Sequence, residues 1–419
     1  MMQRKNKSIY TIIKQFIQNS FAYAVPVFFQ QFIVFPLIAN KLGIELNGRF
    51  LADIALNYFV INITVTVLVN VRLLQNQQYE ELNQKGDFNI LVLIFAAVNT
   101  LTVIGGSIFY ANGQLSLPDI IMSVVVILLF TYHDYIVVQY RAELRFRDIL
   151  TNNLLLCGGY LVGLAVMFWM LPCWQIVFII PYTITAIYDY CHTTYIKEPL
   201  RITPLFRKTV KQYFLLMFSS VLISLVTYGD RLVLYPLMDG ETVSVFSSAQ
   251  LAGKLLQMIS TPVTTFLLAH LVQKKAEKIS LRWWYPVAGL GACVVLYLFC
   301  VLFSTPVLHL LYPQWVDRSL RYVPLTALNG VINTVIILLN TVVLRFCKPK
   351  WQLIKSAVYL VAYMGFSFVL LYFWDLTGFC IGNVAASVVH LACLVFVLMK
   401  EKVFVVASGL RVDQSVHEE

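Results

Sequence analysis

Arg231 lies inside the apolar run Val226-Thr-Tyr-Gly-Asp-Arg-Leu-Val-Leu-Tyr-Pro-Leu237. A fixed cation in such a run is stable only against an acid, an anion or water. Ser220, Ser224 and Thr227 precede it by 11, 7 and 4 residues, so on a helix all four fall within about 60° of arc. A second stripe, Gln250, Lys254, Gln257 and Thr261, carries another cation, and a third, Asp53, Asn57 and Thr64, carries an acid. Asp53, Asn57 and Thr64 map onto Gln250, Lys254 and Thr261 at one constant offset. Asn329, Asn333 and Asn340 form a fourth stripe. Arg231 and Lys254 fall at one depth, about 10 Å below the outer ends of their helices at roughly 1.5 Å per residue. Two cations there, each costing at least a few kcal/mol when uncompensated, point to an anionic ligand in a water-filled cavity. Two other arrangements stay open: an Asp230 to Lys254 or Asp53 to Arg231 ion pair, and stripes that only bond helix to helix. His133, Asp134 and Asp189 are further candidates for proton relay or cation binding.

The elements that position these residues are membrane spans. Of 419 residues, 59% are hydrophobic and 12% charged, and the mean hydropathy is +0.76, which excludes an ordinary water-soluble domain. Apolar runs of about 20 residues, each long enough to cross the hydrocarbon core, recur near 17–38, 51–71, 89–110, 118–139, 150–170, 174–193, 213–237, 243–270, 284–304, 320–344, 352–373 and 377–399. With the N-terminus in the cytoplasm, 25 of the 31 Lys and Arg residues fall in inner segments, Arg72 and Lys355 among them. Only Lys41, Arg49, Arg318 and Arg321 fall outside. One missed helix would invert every later loop, so this bias supports twelve spans with both ends inside. The net charge of +10 is scattered between apolar runs, which argues against nucleic acid as a partner. The eight cysteines show no metal-ligand spacing. The N-terminal basic segment precedes a run with no cleavage pattern, so the first span is expected to be retained.

The longest and most basic inner connection, 191–211, divides the spans six and six. An internal repeat agrees: Leu42-Gly43, Glu45 and Phe50 after the first span match Leu237, Gly240-Glu241 and Phe246 after the seventh. Six being even, the halves share an orientation and are expected to be related by an axis along the membrane normal. Pro26, Pro262 and Pro324 are expected to bend spans one, eight and ten.

At these residues the chain resembles the polysaccharide-export branch of the multidrug/oligosaccharidyl-lipid/polysaccharide (MOP) exporters, specifically the O-antigen and capsule repeat-unit flippases called Wzx. The resemblance rests on Leu42-Gly43, Gly48 and Phe50, then Asp230-Arg231, Gly240-Glu241, Val243, Phe246, Ser247 and Ala249. It implies an all-α, MATE/MOP-like fold with two six-helix lobes, 1–200 and 201–419, that alternate between inward-open and outward-open states. It also implies a bacterial inner-membrane carrier, not an enzyme, that moves an undecaprenyl-pyrophosphate-linked oligosaccharide from the cytoplasmic to the periplasmic leaflet. In that setting Arg231 and Lys254 would meet the headgroup phosphates, while Gln30, Gln31, Asn57, Gln250, Gln257, Asn329, Asn333 and Asn340 would hydrogen-bond sugars. No cofactor is expected; an H+ or Na+ gradient is the candidate driving force, with Asp53 and Asp230 as its candidate sites. Expected partners are membrane lipid and the polymerase and chain-length proteins of the pathway. The rivals are a drug/cation antiporter of the same superfamily, which would favour acidic cavity residues, and a membrane polymerase or glycosyltransferase, which would need larger outer loops.

Overall fold

The structure, a computed structural model, describes residues 24–273, 279–281, 284–348, 350–401 and 403–406. The basic N-terminal segment, the start of the first span, Lys274, Lys275, Lys278, Arg282, Lys402 and Arg411, and the side chains of Thr261 and Pro262 lie outside the described residues.

Almost all of the described chain is helical. The helices are α1 (Ala24–Leu42), α2 (Ile44–Glu81), α3 (Asp87–Tyr110), α4 (Leu117–Ala142), α5 (Phe146–Trp169), α6 (Gln175–His192), α7 (Phe206–Leu237), α8 (Gly240–Ala249), α9 (Leu251–Gln273), α10 (Trp284–Leu311), α11 (Val316–Leu320) and α12 (Val323–Phe346). The final stretch, Lys350–Lys400, is two helices. Trp374 (φ −135°) and Asp375 (φ 47°) interrupt it, and α13 (350–373) folds back on α14 (376–400). Ser367 Oγ thereby reaches Asn383 Oδ1 at 2.8 Å across 16 residues of chain. Each expected span has its helix, α8 and α9 together forming the eighth. Large apolar side chains such as Leu101, Phe109, Trp169, Leu215, Leu302 and Phe373 stand exposed on the outside of these helices, which a hydrocarbon solvent satisfies and water does not. The chain is an all-α integral membrane protein.

The helices overrun their apolar runs, since a backbone bonded to itself can continue into the interface. The second span, expected at 51–71, is the middle of a helix that runs from Ile44 to Glu81. Pro324 does not bend span ten as expected: it sits in the first turn of α12, where its missing N–H has no carbonyl to meet. In α1 the helix widens into a π turn at Gln30–Val34 that buries Gln30.

Two compact units form. Unit 1 comprises 1–248 with 307–319, and unit 2 comprises 249–306 with 320–419. In unit 1, α7 lies against α2, with Leu232 and Tyr235 packed on the cluster Ala52, Leu56, Val60 and Tyr110. The outer ends of α2 and α8 also meet there. Glu45 accepts the backbone N–H groups of Gly240 at 3.2 Å and Glu241 at 3.0 Å, capping the N-terminus of α8 with a carboxylate. Ser244 Oγ donates to the Ile44 carbonyl at 2.6 Å and accepts from Asn47 Nδ2 at 3.0 Å. Unit 2 is cored by Ala252, Leu256, Cys300, Ala327 and Val331 at one place and by Trp351, Leu394 and Leu398 at another.

Candidate functional site

Arg231 is buried in α7. The expected Asp53 to Arg231 ion pair is not formed. Asp53 instead faces Arg49 Nε at 3.8 Å and accepts from Ser107 Oγ at 3.3 Å. Asp230 turns back on its own helix, where Oδ1 accepts the backbone N–H of Arg231 at 2.8 Å. Among the described residues no carboxylate oxygen lies within 4.0 Å of the Arg231 guanidinium, and its Nε has no hydrogen-bond partner.

Phenol hydroxyls lie around the guanidinium. Tyr58, Tyr228 and Tyr312 all lie within electrostatic range of it. The rings of Tyr58 and Tyr228 are 6.4 Å apart, and Tyr58 stacks on Phe130 at 5.7 Å. Gln30 Nε2 donates to the Tyr58 hydroxyl, which the π turn in α1 makes possible by aiming Gln30 inward. Gln31, one residue on, is half-buried. Asn57 donates to the Asp53 carbonyl at 2.8 Å and leaves its own Oδ1 buried without a partner. A permanent buried cation with no carboxylate within 4.0 Å of its guanidinium among the described residues attracts anions and disfavours cations.

A separate polar network joins α4, α5 and α6. His133 Nε2 meets Asn152 Oδ1 at 3.0 Å, and Asn152 Nδ2 donates to Asp189 Oδ1 at 2.6 Å. Tyr140 OH donates to the same oxygen at 2.9 Å, and His133 Nδ1 meets Asp134 Oδ1 at 3.3 Å. His133, Asp134 and Asp189, singled out from sequence, are thus brought together through Asn152.

The remaining expected site residues belong to unit 2. Gln250, in the turn between α8 and α9, and Lys254 and Gln257 on α9 are half-buried. Asn329, Asn333 and Ser387 bond to one another at 2.7 to 3.3 Å, tying α12 to α14, and Asn340 Oδ1 accepts from Lys355 Nζ. These bonds join α12 to α13 and α14.

Three buried groups escaped the sequence reading. Lys355 and Arg72 were assigned to the inner surface, yet each is only 4% exposed, and His390 is 8% exposed. The signal was available in register: Thr64, Arg72, Gln75 and Tyr79 continue one stripe of α2, and Asn383, Ser387 and His390 form one on α14. Arg72 donates to Glu198 Oε1 at 2.6 Å and to Tyr135 OH, and its guanidinium lies 3.5 Å from the Tyr195 ring centroid. It forms one wall of a cavity of about 380 Å³ with Asn76, Lys85, Tyr195, Lys197 and Glu198. Nearby, Asn89 Nδ2 holds the carbonyls of Tyr195, Ile196 and Glu198. Asp87 accepts Thr203 N at 2.7 Å, Thr203 Oγ1 and the Tyr79 hydroxyl. The connection between α6 and α7 is thereby pinned to α2 and α3.

No protein-family model and no curated protein matches the sequence. Solved structures do match in three dimensions. An inward-facing multidrug resistance MATE family transporter of the MOP superfamily aligns with a TM-score of 0.62 at 15% identity, covering 92% of this chain and 94% of that one. The lipid II flippase MurJ in an inward closed conformation aligns at 0.62 with 14% identity, covering 95% and 87%. A MOP superfamily transporter from Pyrococcus furiosus, described as having a binding pocket of reverse polarity, aligns at 0.59 with 16% identity, covering 93% and 96%. The neighbours are transporters and a flippase, and over nearly its whole length the chain has the fold of the MOP superfamily.

Proposed function

We propose that the chain is a Wzx-type flippase that carries an undecaprenyl-pyrophosphate-linked oligosaccharide from the cytoplasmic to the periplasmic leaflet of a bacterial inner membrane. The observation that carries this reading is Arg231, buried without a carboxylate among the described residues and set among Tyr58, Tyr228 and Tyr312. A diphosphate headgroup supplies the missing counter-charge, and Gln30, Tyr58 and Asn57 supply hydrogen bonds of the kind sugar hydroxyls take up. Lys254, Gln31, Gln250, Gln257 and the Asn329, Asn333 and Asn340 stripe are proposed as further contacts. The lobes 1–200 and 201–419 are proposed to exchange access to the two leaflets, with both termini in the cytoplasm. Asp53 and Asp230 are kept as candidate sites for H+ or Na+, and no catalytic step is assigned. The lipid II flippase among the structural neighbours supports a lipid-linked cargo.

A cation or drug antiporter is the second reading. It draws on Asp189, fully buried with Oδ2 unpartnered, close to His133 and Asp134. The discriminating experiment is complementation of a strain lacking its repeat-unit flippase. Arg231→Ala should abolish surface polysaccharide at normal protein level while Arg231→Lys retains part of it. Full function of Arg231→Ala would contradict the headgroup role.

A further inference from the structure

Among the described residues, unit 2 contains a pair of buried basic groups with no carboxylate within 4.0 Å of either. Lys355 on α13 and His390 on α14 are both buried and within electrostatic range of each other. Lys355 Nζ is held by the neutral Asn340 Oδ1. Both ring nitrogens of His390 are buried without a hydrogen-bond partner, while one face of the ring stacks on Tyr359 at 4.3 Å. From Val323 to Lys400 the chain has one carboxylate, Asp375. It lies in the turn 20 residues from Lys355, about 30 Å away along the helix at roughly 1.5 Å per residue. Helices α9 and α10 have none, and Glu277 between them lies outside the described residues, as do Asp413, Glu418 and Glu419. The other ionisable groups on these elements are the cations Lys254, Arg345, Lys350 and Lys400, the histidines His270 and His309, the tyrosines Tyr285, Tyr297, Tyr359, Tyr363 and Tyr372, and the cysteines Cys293, Cys300, Cys380 and Cys393. Glu401, just past α14, is taken up by Trp351 Nε1 at 2.6 Å.

Lys355 lies one turn before Tyr359, on which His390 stacks, and two buried basic groups so placed, with no anion beside them among the described residues, disfavour carrying two charges at once, so the pair takes up one proton. Whether they hold it depends on whether water reaches them, because the charged form is stable only when solvated or paired. His390 also begins a polar file up α14: Ser387 Oγ donates to Asn329 Oδ1 at 2.7 Å, and Asn383 follows one turn further on, bonded to Ser367. We propose that Lys355 and His390 form a shared proton-binding site in unit 2, loaded when α13 and α14 open to water and emptied when they close. Loading converts the Lys355 amine to an ammonium or the His390 imidazole to an imidazolium; emptying returns that proton to water. The site is built for proton-coupled movement, and so deepens the transport reading by naming the proton as the coupling ion.

The test needs no transported substrate. Hydrogen exchange of the full-length protein in lipid nanodiscs is followed by mass spectrometry from pH 6 to 9, with rates normalised for the intrinsic pH dependence of exchange. A helix opening linked to one proton changes its opening constant by up to tenfold per pH unit. Peptides from 350–363 and 383–400 should lose protection as pH falls, those from α3 and α5 should not, and Lys355→Met should flatten the response. A flat wild-type profile, or the wild-type slope surviving in Lys355→Met, overturns the proposal. His390→Phe is the second variant, useful if Lys355→Met folds poorly by gel filtration: it should move the pH at which protection changes, and a profile identical to wild type also overturns the proposal. Because no lipid-linked sugar is present, failure here leaves the export reading standing, and failure of Arg231→Ala to affect export leaves this site standing.

Discussion

Gly48 and Gly240, 192 residues apart, approach so closely that a Cβ added to either would strike main-chain atoms of the facing segment. Gly48, in the first turns of α2, and Gly240, the first residue of α8, fall within the two matching segments of the internal repeat, 42–50 and 237–246, so the repeat folds to meet itself within unit 1. Gly43, at φ 81°, is required for a different reason: its conformation is left-handed while the space around it is open. Gly48→Ala should therefore destabilise by about 1–3 kcal/mol through overpacking, and Gly43→Ala by about 1 kcal/mol through strain alone. Thermal unfolding of the two purified variants checks the order; equal melting temperatures would deny the close approach.

Tyr58 accepts from Gln30 and stands within electrostatic range of Arg231. Tyr58→Phe keeps the ring stacked on Phe130 and removes only the hydroxyl. Its export activity should fall by roughly tenfold, the scale of one hydrogen bond to a charged group, with the melting temperature unchanged. An equal loss in stability would mean that the hydroxyl serves packing and not cargo.

The Arg72 to Glu198 pair is buried, at 5% and 12% side-chain exposure. Arg72→Met strands a carboxylate and should cost about 3–5 kcal/mol. Adding Glu198→Gln should recover much of that loss, since the uncompensated charge is gone. Chemical unfolding of the single and double variants gives the comparison, and a double variant no better than the single would place the cost in the lost contacts with Tyr195.

Asp87 fastens the connection between α6 and α7 through Thr203, and Asn89 does so through three carbonyls. Asp87→Asn loses acceptor capacity at the Thr203 contacts and should cost about 1–3 kcal/mol. Lys197 and Arg201 offer trypsin its cleavage sites there. Limited digestion should cut this variant, and Asn89→Ala, faster than wild type; unchanged rates would show the segment to be held by other contacts.

Span number was legible because length and hydropathy of a run are set by the bilayer, and the basic residues fixed the parity. Span ends were not, because α2 continues into polar sequence once its backbone is self-bonded. The motif glycines and aromatics could be recognised, but their reason lies in three dimensions: Phe50, Val243 and Phe246 are fully buried beside the contact of the two repeats. Arg231 was legible because an isolated cation in an apolar run has few places to go. Arg72 and Lys355 were misjudged for the opposite reason: each sits near a run's end, where charge normally marks the water surface. Whether an Asn stripe holds cargo or a neighbouring helix cannot be separated by spacing, since both uses need one polar face.

Unit 1 is not contiguous in the chain. Its last piece, 307–319, docks after two further spans have been made: Gln314 donates to the Asn40 carbonyl, Trp315 Nε1 to Ser248, and Ser319 pairs with Ser248. The ribosome thus delivers the first seven helices long before the segment that finishes them. In the interval, Ser248 and the Asn40 carbonyl wait without these partners, so the first unit is completed only after translation has moved on to the second.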